Sequence, residues 1–369
     1  MRVTIYDLAR EAGVGIGTVS RCMNNHPNVS APTRARVLTT ARRMNYQPHA
    51  HAQGLASRRT NTIAAIIPYF TNYFFQQVLQ GIQDKAGESG FDLILYGVNH
   101  PEQVQHYLHR SLQRGRVDGV MFFSMKIPES YAEKFHQMQL PLVLVDGSHP
   151  EFDSIRVENR EGALAAVRHL IGLGHRRVAM INASMDTLPA RERYRGYRDA
   201  LDEHGIAVSP DRVFASDARW QDGFTREAGR EGMRRLLAHR RAGDPITAAL
   251  VASDIQAMGV LEVARDAHVR VPEEFAVVGF DDIELAQYLQ LTTMRQPMYE
   301  MGVLAMERLL SRILTPDMAP TLTTFVPELV VRRTCGAASP EGEAHRPDGP
   351  VSDQHTHRPF PAQFAGVTR

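Results

Sequence analysis

The chain has 369 residues, 43% of them hydrophobic and 22% charged, a composition that suits two or three packed domains and excludes a disordered, collagenous or coiled-coil protein. No stretch approaches the ~20 uninterrupted apolar residues of a bilayer crossing, and the opening MRVTIYDLAREAG lacks the apolar centre of a signal peptide, so a cytoplasmic protein is expected. Of 42 basic and 41 acidic residues, nine arginines but only Asp7 and Glu11 fall in residues 1–60, giving that segment about +7 and the remainder about −6. A basic head on an acidic body is the electrostatic footprint of a small nucleic-acid-binding module fused to something that does not bind nucleic acid. Two cysteines, Cys22 and Cys335, are too few for a disulfide framework or a four-thiolate zinc site.

The first sixty residues read as short helices. Thr4 and Asp7 have capping-box spacing ahead of a helix from about Ile5 to Ala12. Gly13 stops it, and a second helix follows from about Ile16 to Asn24 with Val19 and Met23 on one face. Ser30 is expected to cap a third, whose Val37, Leu38 and Ala41 point inward while Arg34, Arg36, Arg42 and Arg43 stay available to solvent or phosphate. A helix-turn-helix places the N-terminal side chains of its second helix on base edges, here Ile16, Gly17 and Thr18, followed by Ser20 and Arg21. Gly13, Gly15 and Gly17 do not form a phosphate loop, which needs a preceding strand.

From Thr62 onward apolar runs alternate with amphipathic helices. The runs are 63–67, 93–96, 120–123 and 142–145, then a second series at 178–181, 248–252 and 275–278. Continuous apolar strands alternating with helices imply parallel sheets covered on both faces, and two series imply two lobes. Ligands of open parallel sheets bind beyond the strands' carboxyl ends, so Asp146, Ser253 and Asp281 stand out directly after their runs. From Cys335 the composition shifts to five prolines and scattered glycines, which reads as a disordered tail in which His355 and His357 have no further ligands at metal-binding spacing.

Motifs along residues 3–334 resemble the LacI/GalR family of transcriptional regulators, the lactose and galactose repressor family. The head matches in residues 6–9, 12–14, 18–21, 28–30 and 45–48, and the body in 117–120, 173–177, 193–197, 271–273, 278–282 and 291–293. The resemblance implies an α/β chain with a helix-turn-helix DNA-binding domain (1–47), a hinge helix and linker (48–60), a two-lobed, doubly wound parallel-sheet effector and dimerisation domain of the periplasmic-binding-protein-like type (61–334) and the tail (335–369). It adds Asn28 and Tyr46 to the DNA-facing set and matches Leu55 to the position that the family wedges into the minor groove. An ordinary interdomain packing role is the other reading of Leu55, as burial in the head is of Ile16. Gly15 stands where the family commonly has a capping serine, and neither Ile16 nor Gly17 can form a side-chain hydrogen bond to a base, leaving Arg21 as the candidate for guanine.

For the body the resemblance implies an effector between the lobes, with Phe74, Asp146, Arg193, Trp220, Ser253 and Asp281 as candidate contacts. Carboxylates accept from paired hydroxyls, arginine donates to oxygens and aromatic faces cover C–H surface, which suits a carbohydrate. Ser253 replaces an asparagine common in the family, and the other reading of Asp281 is helix capping together with Asp282. The implied partners are a pseudo-palindromic operator, a small sugar-like effector and a second copy of the chain, on the cytoplasmic nucleoid, with no membrane, metal or cofactor. An exported sugar-binding protein would share the two lobes but not the basic head. An enzyme would need a nucleophile, acid–base or metal constellation that does not stand out.

Overall fold

The computed structural model describes residues 3–23, 26–46, 59–69, 71–217, 220–241 and 246–337. In the head, α1 (Ile5–Ala12), α2 (Ile16–Met23) and α3 (Ala31–Arg43) pack around fully buried Leu8, Val19 and Val37. The capping box forms as its spacing predicts: Asp7 N–H donates to Thr4 Oγ1 (3.3 Å) and Thr4 N–H to Asp7 Oδ2 (3.1 Å). Gly13 ends α1 in the left-handed region (φ 63°), which glycine enters without a Cβ penalty.

Three expectations for α3 need correction. Ser30 precedes the helix, but its hydroxyl bonds Thr33 Oγ1 (2.9 Å) rather than capping a backbone N–H. Thr40 is buried beside Val37 and Ala41, while Leu38 is only half-buried. Arg34 is committed within the head, donating to the His26 and Cys22 carbonyls, while Arg36, Arg42 and Arg43 are exposed, the last in a surface pair with Glu11. The proposed hinge helix, including Leu55, lies outside the described residues.

The body begins with β1 (Thr62–Pro68), α4 (Tyr73–Glu88), β2 (Asp92–Val98), α5 (Pro101–Ser111), β3 (Gly119–Phe123), α6 (Glu129–Gln137), β4 (Leu142–Val145) and β5 (Asp153–Val157). The chain then crosses into a second lobe: α7 (Asn159–Gly172), β6 (Val178–Asn182), α8 (Leu188–Glu203), β7 (Val213–Ala215), α9 (Arg226–Arg241), β8 (Ala248–Val251), α10 (Asp254–Asp266), β9 (Ala276–Asp281), α11 (Glu284–Tyr288) and β10 (Thr292–Arg295). It returns for α12 (Met298–Leu314) and β11 (Leu322–Phe325) in the first lobe, and crosses again for β12 (Glu328–Val330) in the second. The sheets run β11-β5-β4-β3-β1-β2 and β12-β10-β9-β8-β6-β7, parallel throughout except for β12 against β10.

The strand period of two divides each apolar run between two cores. Ile63, Ala65 and Ile67 join Met121, Phe123, Val143 and Val145 on one face of the first sheet, and Ala64 and Ile66 join Val120, Phe122, Leu142 and Leu144 on the other. The second sheet repeats this with Val178, Met180 and Leu250 against Ala179, Ile181 and Val251. Strands β5 and β10 escaped the apolar criterion because polar side chains fill them. Asp153 is buried against Arg312 and Thr321, and buried Thr292 exchanges hydrogen bonds with Arg332. Cys335, assigned by composition to the tail, is buried in the second lobe beside His169 (Sγ to Nε2, 3.3 Å). The described body therefore continues to Ala337.

Helices covering the sheets meet through glycines. A Cβ on Gly302 of α12 would lie 2.0 Å from the Val78 carbonyl oxygen of α4, and one on Gly81 2.2 Å from that of Tyr299; Gly229 and Gly259 relate α9 and α10 in the same way. Gly302→Ala should therefore lower stability by about 1–3 kcal/mol through overpacking, despite alanine's better helix propensity. Gly17 of α2 meets no atom within 4 Å, so Gly17→Ala should stabilise the head by about 0.5–1 kcal/mol. Denaturant titration checks both, and equal effects of the two substitutions would contradict the packing argument.

Candidate DNA-binding and effector sites

On the head, α2 turns its N-terminal end outward. Ile16 is 41% exposed, which removes the alternative that it is a core residue, and Gly17 is exposed beside it. Thr18 and Ser20 are half-buried, Arg21 and Asn28 are exposed, and Tyr46 packs partly against the head core. Arg21 folds back so that Nε donates to the Gly17 carbonyl (3.1 Å), an arrangement a side chain can leave at little cost for a stronger acceptor. The outward face of α2 thus offers one long cation, two hydroxyls and an apolar isoleucine.

In the body, Phe74, Asp146, Arg193, Ser253 and Asp281 all line one cleft between the lobes. Each enters from a carboxyl end of the sheets or from the first turns of the helices that follow. Asp146 follows β4 and accepts from Ser124 Oγ (2.6 Å), which itself follows β3. Asp281 ends β9 and accepts from Gln296 Nε2 (2.6 Å). Phe74 meets Phe75 edge to face at 5.2 Å in the first turn of α4, which Asn72 caps through Phe74 N–H (3.0 Å). Five non-glycine residues lining the cleft, Tyr69, Ser124, Asp146, Asp222 and Asp281, have positive φ, so the chain turns away from each strand end while aiming a side chain inward.

Arg193 of α8 is the cleft's buried cation. Its Nε donates to Asn159 Oδ1 (2.9 Å), Nη1 donates to the Ala252 carbonyl and lies 3.9 Å from Asp281 Oδ1, and its guanidinium stacks 3.8 Å from the Phe280 ring centroid. Ser253 caps α10 by accepting from Gln256 N–H (3.3 Å), so its oxygen serves the helix as well as facing the cleft. Asp281 does not cap α11, whose N-cap is Ile283, and Asp282 turns away to pair with Arg295 and Arg332.

Sequence reasoning missed Phe224 and Asp222, which line the cleft, and Asp254, which lies behind it. Phe224 lines the cleft and faces Arg193 at 5.7 Å. Thr225 accepts from Ala228 N–H (3.1 Å) as the N-cap of α9, which puts Phe224 one residue before the cap. Asp254 is fully buried behind Asp281, accepting from Thr293 Oγ1 (2.6 Å) and Ile283 N–H (3.0 Å). Trp220 lies in a 3₁₀ turn with Asp222, but its side chain falls outside the described part of the structure. Among the described residues only Glu129, His149 and Glu151 approach metal-binding geometry, and none of them lines the cleft.

Burial, only partly offset by Ser124 and Arg193, pushes Asp146 up to about 6. Burial likewise raises Asp281 to about 7 against the lowering influence of Arg193 and Gln296, and it raises Asp254 well above the usual range, with Asp281 adding to the effect. One guanidinium thus serves several crowded carboxyl groups, a set of donors and acceptors that can meet hydroxyl groups.

These features define a two-lobed effector-binding body joined to a helix-turn-helix head. Residues 4–49 match the bacterial regulatory proteins of the lacI family, and residues 167–335 match the periplasmic binding protein-like domain. The chain is 32% identical over 335 residues to catabolite control protein A of Priestia megaterium, covering 89% of this chain and 98% of that protein. It is 32% identical over 334 residues to the ribose operon repressor of Escherichia coli K12, with the same coverage. Among solved structures, a lac repressor dimer bound to operator and the anti-inducer ONPF superimposes with a TM-score of 0.79 at 27% identity, covering 91% of this chain and all of that one. A complex of the transcriptional regulator CelR with cellobiose gives 0.67 at 28% identity, covering 90% and 100%. The chain belongs to the lacI family of bacterial regulatory proteins and is a DNA-binding transcriptional regulator.

The raised carboxylates set a sign for pH dependence. Well below the ordinary aspartate value of 3.8, Asp146 and Asp281 are protonated folded or unfolded and contribute nothing. As pH rises toward 7 the unfolded chain ionises first, so their contribution to stability falls until the folded groups ionise too. The change in ligand-free stability on Asp281→Asn should therefore be more favourable at pH 8 than at pH 5, as read by urea denaturation at both. A more favourable change at pH 5 would reverse the assignment.

Proposed function

We propose that this regulator is a repressor that binds a pseudo-palindromic operator as a homodimer, with its operator affinity set by a small carbohydrate held between the lobes. The observation that carries the reading is the convergence of Asp146 from one lobe with Arg193 and Asp281 from the other on a single cleft at the carboxyl ends of both sheets. A ligand touching all three favours one lobe angle, and a differential affinity of about 1–3 kcal/mol between lobe arrangements already changes operator affinity about 5- to 150-fold. The lac repressor structure with operator and the CelR structure with cellobiose support this assignment by likeness.

On DNA, Ile16, Gly17, Thr18, Ser20 and Arg21 read the major groove, with Asn28 and Tyr46 on the backbone and Leu55 as the minor-groove wedge. Two heads are needed because one helix-turn-helix covers a single half-site. The protein acts on the nucleoid in the cytoplasm as a binding protein rather than an enzyme, without metal or cofactor, because its cleft carboxylates flank hydrogen-bond donors rather than a nucleophile.

Selection from random DNA followed by footprinting should return a two-fold symmetric site whose affinity falls steeply with salt. Leu55→Ala should weaken that site while leaving effector affinity nearly intact. Arg193→Ala should abolish the effector response, read by calorimetry beside operator titration. Tight binding by a monomer to one half-site, or an unchanged effector affinity in Arg193→Ala, would overturn the corresponding part.

A further inference from the structure

The 3₁₀ turn Trp220–Gly223 reaches the cleft from the loop between β7 and α9 and brings with it a carboxylate that the network above does not use. The turn is held by its backbone: the Asp222 carbonyl accepts from Ser184 N–H (2.8 Å), and the Gly223 carbonyl accepts from the side chain of buried Gln256 (3.0 Å). Gly223 sits at φ 82°, where an added Cβ would fall 2.6 Å from that of Ser216, so the turn packs closely at a position kept to glycine. Asp146 and Asp281 each have a protein donor, yet no described residue donates a hydrogen bond to the half-buried carboxylate of Asp222. Its charged neighbour is Asp186, which repels it.

We propose that Asp222 is a specificity-determining residue of the effector cleft, selecting ligands that present hydroxyl or ammonium donors and rejecting phosphorylated or carboxylated sugars. The inference rests on the reading of the cleft as the effector site and adds to it the class of ligand accepted. A cleft acceptor with no donor among the described residues gains a direct partner when a ligand brings a hydroxyl or ammonium group to it. An anion placed there would face the carboxylate of Asp222. The cleft's guanidinium, Arg193, already donates to Asn159 and Ala252 and lies against Asp281, so among the described lining residues no uncommitted cation receives a phosphate.

The test uses the full chain and a panel of free pentoses, hexoses and disaccharides, hexosamines, and the corresponding sugar phosphates and sugar acids, screened by thermal shift and then by calorimetry. Hits should be confined to uncharged and aminated sugars. Asp222→Asn should weaken the best of them about ten-fold or more, with no lower unfolding temperature in the ligand-free protein. A sugar phosphate or acid as the best ligand overturns the proposal, as does a best ligand held equally by Asp222→Asn. If the best ligand is held equally by Arg193→Ala, or the panel yields no ligand for wild type, the underlying reading of the cleft fails instead.

Discussion

The body is organised around a guanidinium removed from water. A buried charge stripped of one partner costs several kcal/mol, so every element touching Arg193 is constrained to keep its donors occupied. Asn159 comes from the first crossover between lobes, Ala252 from the end of β8, and Asp281 and Phe280 from β9. One side chain on α8 thereby fixes two strand ends and a crossover at the cleft floor. The same charge lowers Asp281 in its own lobe and Asp146 in the other, so the lobe angle governs how strongly the opposite carboxylate is held ionised.

Parallel-sheet construction explains why the polar groups gather there. The inner strands are buried on both faces, and polar side chains reach the interlobe space where the strands end. Aspartate, serine and tyrosine occupy the left-handed backbone positions at those ends, where glycine would turn as easily but present no hydrogen-bonding group. Close glycine contacts between covering helices serve the opposite purpose, keeping the layers rigid so that the cleft can respond as two bodies.

How much of this was legible in the sequence follows from what each residue answers to. Apolar runs and the Thr4–Asp7 spacing answer to local physics, so the seven principal strands and the head's first helix stand close to where pattern reading places them. Strands β5 and β10 were invisible because Asp153, Thr292 and Thr293 are buried through hydrogen bonds to residues distant in sequence, a tertiary compensation that no window detects. Ser30 failed as a cap because Thr33 lay within reach of its hydroxyl. In the cleft, Asp146, Ser253 and Asp281 were readable from the strand-end rule, Phe74 and Arg193 only through resemblance, and Phe224, Asp222 and Asp254 not at all. Those last three depend on where a loop folds and on which neighbours a buried carboxyl meets.

The crossovers between the lobes are bonded directly to groups that face the cleft. Asn159 and Gln296 lie on two of the segments joining the lobes, and they bond the two groups, Arg193 and Asp281, that face the cleft from the second lobe. A ligand that draws on either group competes with, or reinforces, the hydrogen bond holding a crossover in place. At the opposite end of the first lobe, Asp118 ahead of β3 accepts from the backbone N–H groups of Thr60 (2.8 Å) and Asn61 (2.8 Å), tying down the chain as it enters β1. Rotation of the first lobe about the crossovers must therefore carry Thr60 with it. Since every path from the head to the body passes through that residue, a change in lobe angle of the kind a ligand imposes becomes a displacement of the point from which the DNA-binding head is tethered.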